Sequence, residues 1–579
     1  MKTVLTLVTM MLLLSVPSFA QFDEFHPEVE WFTIKGKHVD VHFHEGSERT
    51  AQTVLKIADE VWGPITSLYD YEPDRVQYVI KDLDDYANGA SYFFDNKIEI
   101  WTSALDFDLR GSHNWLRNVI SHEFTHMVQI QASMKSSRSV PALYLQWLNY
   151  DDKRRPDILY EFPNVIVSYP IPTINVPAWL AEGTAQYMRK DFDYDNWDSH
   201  RDMILRSYAL DDNKLTWNQM GVFGKNSLGN ESVYNSGFAL TLYIAQKYGE
   251  VKLKELSNAL GTWNNFTMDA AVEDVLGISG QQLYDEWSQF LKADYLKRTE
   301  NIKQNLVEGE KIEDAGFGNF YPKFSDDGKY IYYISNKGTD YLSLTSLYRY
   351  NRTEKTSELV IPGVKSTFDF IPGTQTLIYS KLGDDNPNGF RVHDLYSFNL
   401  DTEEEKRLTF NLRANMPSVS PDGSKITFLV QRDGTTNIAT CNIDGSGFKQ
   451  YTFYDDGEQV FSPTFSPSGK TIAFAYSYHH GRDIYTIDVE SGKITELVTG
   501  TPDDRSPIFI SDNELMFSSD RTGIFNIYTM KLNEGAPKQL SNVLGGAFMP
   551  SFNTNGEITY AGYTSKGYKI YTLKTEPGK

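Results

Sequence analysis

The chain has 579 residues, more than one hydrophobic core usually organises, so at least two domains are expected. With 40% hydrophobic, 14% aromatic and 23% charged residues it can bury large cores, which excludes a disordered or collagen-like chain. A formal net charge of −22 repels phosphate backbones and anionic membrane surfaces and argues against nucleic acid as a partner, while a lone cysteine, Cys441, excludes internal disulfides and thiolate zinc clusters.

Residues 1–20 carry one positive charge at Lys2, an apolar run from Val4 to Val16 and small residues at Ser18 and Ala20. This is the pattern of a secretory signal cleaved before Gln21. Gln21 rather than a cysteine stands immediately after that cleavage point, which argues against a bacterial lipid anchor, and no later apolar stretch is long enough to span a bilayer. The mature chain is therefore expected to be exported, either periplasmic or secreted, with no transmembrane segment.

From Ser47 to Tyr71, Val54, Ile57, Ala58, Val61 and Ile65 recur at helical spacing, and Val76 to Ile80 favours a strand. Before them, His38, His42 and His44 alternate with Val39, Val41 and Phe43, as on the polar face of a half-buried strand. Another strand is predicted over Lys97 to Thr102, then helices from His113 to Gln131 and beginning near Pro177, Asp198, Glu231 and Gln281. Met134 to Thr173, with its prolines, aromatics and the charge cluster Asp151 to Arg155, reads as a lid-like insertion.

Beyond about residue 303 the sequence becomes self-similar. Runs beginning YPKFSDDGKYIYY at Tyr321, FDFIPGTQTLIY at Phe368, MPSVSPDGSKITF at Met416, SPTFSPSGKTIAF at Ser462, SPIFISDNELMF at Ser506 and MPSFNTNGEITY at Met549 recur roughly every 43 to 48 residues. That is the length of a four-stranded propeller blade, and six starts predict six blades. The last repeat lacks its fourth strand, whereas Glu310-Lys311-Ile312-Glu313 stands just before the first, so the two ends are expected to close the ring together. The repeats resemble WD-type blades of the TolB-like propeller family, which implies a binding or scaffolding surface and specifies no chemistry.

The chemistry-bearing motif is His122-Glu123-Phe124-Thr125-His126, inside the predicted helix NVISHEFTHMVQI. Histidines four apart share one helix face and can grip one zinc, with Glu123 beside them to take a proton from water. A third protein ligand is needed, and Glu182 in PAWLAEGTA is the candidate. HExxH followed by a helix reading WLxEGxA resembles the gluzincin metallopeptidases, among them the aminopeptidase-N-like members. The resemblance implies that His122, His126 and Glu182 ligate Zn2+ and that Glu123 is the general base.

Tyr234, at the start of YNSGF, stands where related enzymes place a tyrosine that stabilises the oxyanion. Two departures stand out: the motifs are farther apart than in aminopeptidases, and Gly89-Ala90-Ser91 lacks the glutamate that binds a free amino terminus. Gln186 also replaces the acidic group that often supports the glutamate ligand in thermolysin-like members. The resemblance further implies that the strand at Lys97 to Thr102 is the edge that pairs with an extended substrate.

The sequence thus reads as a multidomain protein: residues 1–20 a signal, 21–300 an α+β zincin-like metallopeptidase domain, and 301–579 an all-β six-bladed propeller. The expected function is zinc-dependent peptide hydrolysis by internal cleavage, with a peptide or protein substrate and a protein partner for the propeller. The rival reading is an envelope binding or scaffold protein whose zincin-like domain is inactive. A second metal site at His38, His42 and His44, and binding at His479-His480, are weaker readings. GxSxG, P-loop and GxGxxG motifs are absent.

Overall fold

The computed structural model describes residues 28–574 apart from 105–113, 141–142, 150–164, 172–173, 190–196, 225, 384–390, 480 and 533. The predicted signal, the cluster Asp151 to Arg155 and His480 lie outside the described residues.

The first half is built on a five-stranded sheet of order β1-β2-β3-β5-β4, formed by β1 (Trp31–Lys35), β2 (Val39–His44), β3 (Val76–Lys81), β4 (Gly89–Tyr92) and β5 (Lys97–Trp101). β2, β3 and β5 run parallel, while β1 and β4 are antiparallel edges. This corrects one expectation: the Lys97 to Trp101 strand is interior, bonded to β3 on one side and β4 on the other, and the edge is Gly89–Tyr92. Glu99 of this strand is buried between Lys81 and Lys97, each 2.8 Å away.

Val39, Val41, Val76, Tyr78, Ile80, Ile98 and Ile100 bury one core against α1 (Glu48–Tyr69) and α2 (Trp115–Ala132). The chain continues through α3 (Ala178–Arg189), α4 (Ser199–Leu210), α5 (Ser227–Tyr248), α6 (Val251–Gly261), α7 (Met268–Leu276) and α8 (Gly280–Arg298). The helix expected at Glu231 starts earlier, because the Asn226 side chain accepts from Gly229 N–H at 2.7 Å and caps it. The stretch read as an insertion contains an antiparallel hairpin, β6 (Leu143–Asn149) with β7 (Val165–Ile171).

The second half is a ring of six four-stranded sheets. Five follow the chain directly, and the sixth contains residues 546–552, 557–564 and 567–574 plus β8 (Glu310–Glu313), which pairs with 567–574. The early strand therefore completes the last blade. Glu313 also accepts from Ser357 Oγ at 2.5 Å and Tyr333 Oη at 2.7 Å, and pairs with Lys337, so the closing strand is pinned to the first blade as well.

A recurrent device explains the x-Pro in most repeats. Tyr321, Met416, Ser462, Ser506 and Met549 have φ between 47° and 53°, each precedes a proline, and the ladder shifts register around each pair. The bulge puts proline where its missing N–H costs no ladder bond. Blade two has no such proline. There Asp369 pairs with Lys323 of blade one and accepts from Ser418 Oγ and Val419 N–H of blade three at 3.1 and 2.9 Å. These inner strands line an axial cavity of about 120 Å³.

A second device ties outer strands together. Thr409, Thr452 and Ser541 hydroxyls donate to Asp394, Asn437 and Asn526 at 2.8, 2.9 and 3.0 Å, and accept from the N–H groups of Leu395, Ile438 and Ile527. Each hydroxyl thereby satisfies a buried main-chain donor in blades two, three and five.

All six blades meet the first half. Ser227 N–H donates to Asp340 O, Arg49 N–H to Asp433 Oδ2, Asn114 Nδ2 to Tyr478 O, and Arg206 to the carbonyls of Leu544 and Gly545. His200 packs on Phe525 of blade five. Arg413, after the last strand of blade two, forks onto Asp82 and Asp85 at 2.6 Å each and onto Asp84 O at 3.0 Å. Met203, Ile204 and Tyr208 of α4 are buried in one apolar cluster with Phe320, Phe548, Tyr563 and Tyr568.

Candidate metal and catalytic site

α2 presents His122 and His126 one turn apart, with Val119, Ile120, Phe124, Met127 and Val128 buried around them. Asn114 starts this helix by accepting from Arg117 N–H at 3.2 Å. α3 packs beside it and directs Glu182 toward both rings.

The Nε2 atoms of the two histidines are 2.9 Å apart, and Glu182 Oε2 lies 3.1 Å from His122 Nε2 and 3.3 Å from His126 Nε2. All three residues are buried. Ligands at about 2.0–2.1 Å in tetrahedral array around zinc stand roughly 3.3–3.4 Å from one another. The observed triangle is slightly tighter, and the donor set of two imidazoles and one carboxylate fits zinc. Three groups with lone pairs converge on one point, an arrangement that favours a shared cation. Burial opposes ionisation of Glu182, but the adjacent His126 and His122 outweigh it and hold the carboxyl below its ordinary range. Among the described residues, this is the group of histidine, cysteine and carboxylate side chains close enough to hold a metal together.

Glu123, on the same turn as His122, faces β4. Ser91 Oγ lies 2.9 Å from Glu123 Oε2 and 2.6 Å from Glu123 O. Tyr234 on α5 is half-buried, its ring stacked near that of His122 with centroids 6.1 Å apart, and the Phe223 ring lies tilted to it at 5.9 Å. The four residues picked out by motif and Tyr234 are thus brought into one neighbourhood.

Gly183, next to Glu182, has a packing role that the sequence alone does not reveal. A Cβ there would overlap Gly237 O and Thr241 Oγ1, and one on Gly237 would overlap Trp179 O, so two glycines let α3 and α5 touch backbone to backbone. Gln186, one turn beyond Glu182, accepts from Arg201 Nη2 at 2.9 Å, and Arg201 lies over the Phe238 ring at 4.0 Å. A neutral amide held by an arginine thus stands one turn beyond Glu182.

The other histidines are engaged separately. His38 stacks on Trp62, His42 bridges Thr33 and Gln77 at 2.8 Å each, and His44 contacts Glu45 O and Asp82 N–H. They do not form a metal cluster among the described residues. His479 lies tilted against Tyr478, ring centroids 4.4 Å apart, beside the cleft between the two halves.

The TolB beta propeller domain model matches residues 457–577. The propeller is TolB-like. A curated relative, Tol-Pal system protein TolB of Francisella tularensis subsp. mediasiatica, is 27% identical over 226 residues, covering 36% of this chain and 50% of that protein. The uncharacterized protein Atu1656 of Agrobacterium fabrum is 29% identical over 201 residues, 32% of this chain and 64% of that protein. The chain spans about half the length of the curated TolB relatives it matches. Among solved structures, TolB from Acinetobacter baumannii is 20% identical over 41% of this chain and 57% of that one, with a TM-score of 0.35. The matched family model lies wholly within the propeller and does not reach the His122, His126 and Glu182 cluster. Among the described residues no helix is long and apolar enough to cross a membrane.

Proposed function

We propose that the chain is an exported zinc metallopeptidase of gluzincin type, with residues 21–300 as the catalytic unit and the propeller of 301–579 as a surface for substrate or a partner protein. The observation that carries this reading is the convergence of His122, His126 and Glu182 on one point, with Glu123 on the same helical turn. His122, His126 and Glu182 would hold the ion, and zinc bound there supplies a Lewis acid for the scissile carbonyl.

Glu123 takes the proton of the attacking water and returns it to the leaving amine. Tyr234, beside His122, is positioned to donate toward the oxygen on which negative charge develops. An extended peptide adds to the outer edge of β4, which among the described residues pairs with no further strand. That assignment replaces the interior strand β5 as the docking edge. Position 92, next in line after Gly89-Ala90-Ser91, is a tyrosine packed under Lys97, so an acidic anchor for a free amino terminus is missing there and internal cleavage is favoured.

The TolB-like match favours a complementary binding role for the propeller, and a binding protein with an inactive zincin-like domain is the alternative. Glu123 discriminates between them. The test is a peptide-library digest by the purified chain and by Glu123→Gln, with products read by mass spectrometry. Internal cleavage by the parent, reduced by roughly 10²–10⁴-fold in the variant with zinc retained, supports the peptidase. Equal cutting by both, or none by either at full zinc occupancy, contradicts it.

A further inference from the structure

We infer that β4 is the cradle of the catalytic base: the Ser91 hydroxyl holds the Glu123 carboxylate in place, and the absent side chain of Gly89 leaves the space in which that carboxylate lies. This rests on Glu123 being the base, and makes Ser91 a positioning residue.

The geometry comes from strand periodicity. Residues 89 and 91 are two apart on one strand and so face the same way, toward α2. From position 91 the hydroxyl reaches Glu123 Oε2 at 2.9 Å and Glu123 O at 2.6 Å. One hydroxyl proton serves two acceptors of the same residue, so the side chain of Glu123 is tied to its own main chain through Ser91. From position 89 a Cβ would stand 3.0 Å from both Cγ and Oε1 of Glu123 and would overlap Val119 Cγ2. Any residue but glycine there displaces the Glu123 carboxylate or the Val119 side chain beside it.

A glutamate has three side-chain torsions, and a base free to turn spends part of its time away from the water it must deprotonate. The hydrogen bond on Oε2 fixes the plane of the carboxylate, and the glycine gap fixes where Oε1 lies. Because β4 is also the open edge of the sheet, the strand available to an extended peptide carries the two residues that hold the base. Binding of peptide along β4 therefore steadies Glu123 as it places the scissile bond.

The experiment compares the full chain with Ser91→Ala, Ser91→Thr and Gly89→Ala, measuring kcat and KM on an internally quenched peptide, zinc content, and the Glu123 conformation in crystals of zinc-depleted protein. Ser91→Ala is expected to lower kcat by roughly 10–100-fold with KM within about twofold and zinc content unchanged. Ser91→Thr keeps the hydroxyl and should recover most of kcat, and Gly89→Ala should lose more than Ser91→Ala. In the zinc-depleted Ser91→Ala crystal the carboxylate should turn away from β4. An unchanged kcat in Ser91→Ala while Glu123→Gln is inactive overturns the cradle and leaves the base intact. Full activity of Glu123→Gln overturns the underlying reading instead. An unmoved Glu123 in the Ser91→Ala crystal overturns the cradle whatever the turnover.

Discussion

The two halves of the chain reach stability by opposite means. The propeller repeats one solution six times, so its x-Pro bulges and its hydroxyl clips recur at matching places and each blade leans on the next. The first half uses each feature once: one pair of facing glycines, one helix carrying HExxH, one buried cluster of His122, His126 and Glu182. Repetition makes a fold easy to recognise and leaves its chemistry unspecified, whereas a single motif can announce chemistry within a fold that no repeat reveals. The contact between the halves shares the second character, since Arg413, Arg206 and His200 each attach through a different set of partners.

If that contact is a rigid joint, breaking its strongest link should have the largest effect on stability. Arg413 is largely buried against Asp82 and Asp85, so Arg413→Ala strands two acidic groups and should cost about 3–5 kcal/mol, read as a lower denaturation midpoint for the interface. The same link should fail in acid. Burial raises the pKa of Asp85, but Arg413 and His393 outweigh it and lower the value from 3.8 to about 2. A depressed carboxyl contributes stability above its unfolded pKa and loses it as pH falls through the folded one, so on the order of 2 kcal/mol should vanish between about pH 4 and pH 2. Acid titration of parent and Arg413→Ala separates this from general acid unfolding, because the variant should show a shallower loss over that window.

A smaller effect sharpens the other side of the comparison. Gly183→Ala forces α3 away from α5, since the opposing atoms include the backbone carbonyl of Gly237 and cannot step aside. Overpacking of this kind costs about 1–3 kcal/mol, and because Glu182 is the neighbouring residue, zinc affinity should fall at least tenfold by competition with a chelator. A drop in melting temperature without a change in zinc affinity would separate the helix contact from the triad.

Legibility followed the same division. The blade starts were readable because the period recurs, and the closing strand because the last repeat is one strand short. HExxH was readable because both histidines and the glutamate lie within five consecutive residues of one helix. The edge strand was not legible because Gly89-Ala90-Ser91-Tyr92 is short and has no apolar alternation, and the resemblance to related folds pointed to Lys97–Thr102 instead. Its pairing with β3 on one side and β4 on the other makes that strand interior. The Gly183 and Gly237 contact, the Gln186 to Arg201 bond and the Ser91 cradle join residues distant in sequence, and no local pattern encodes such a meeting.

The central claim is that His122, His126 and Glu182 form a metal centre. Its most direct test is metal analysis of the purified full chain, after zinc-replete expression and dialysis, beside the His122→Ala/His126→Ala double variant. The account predicts about one zinc per parent chain and essentially none in the variant. A parent that carries no zinc and takes up none on titration, or a double variant that binds it as tightly as the parent, would contradict it.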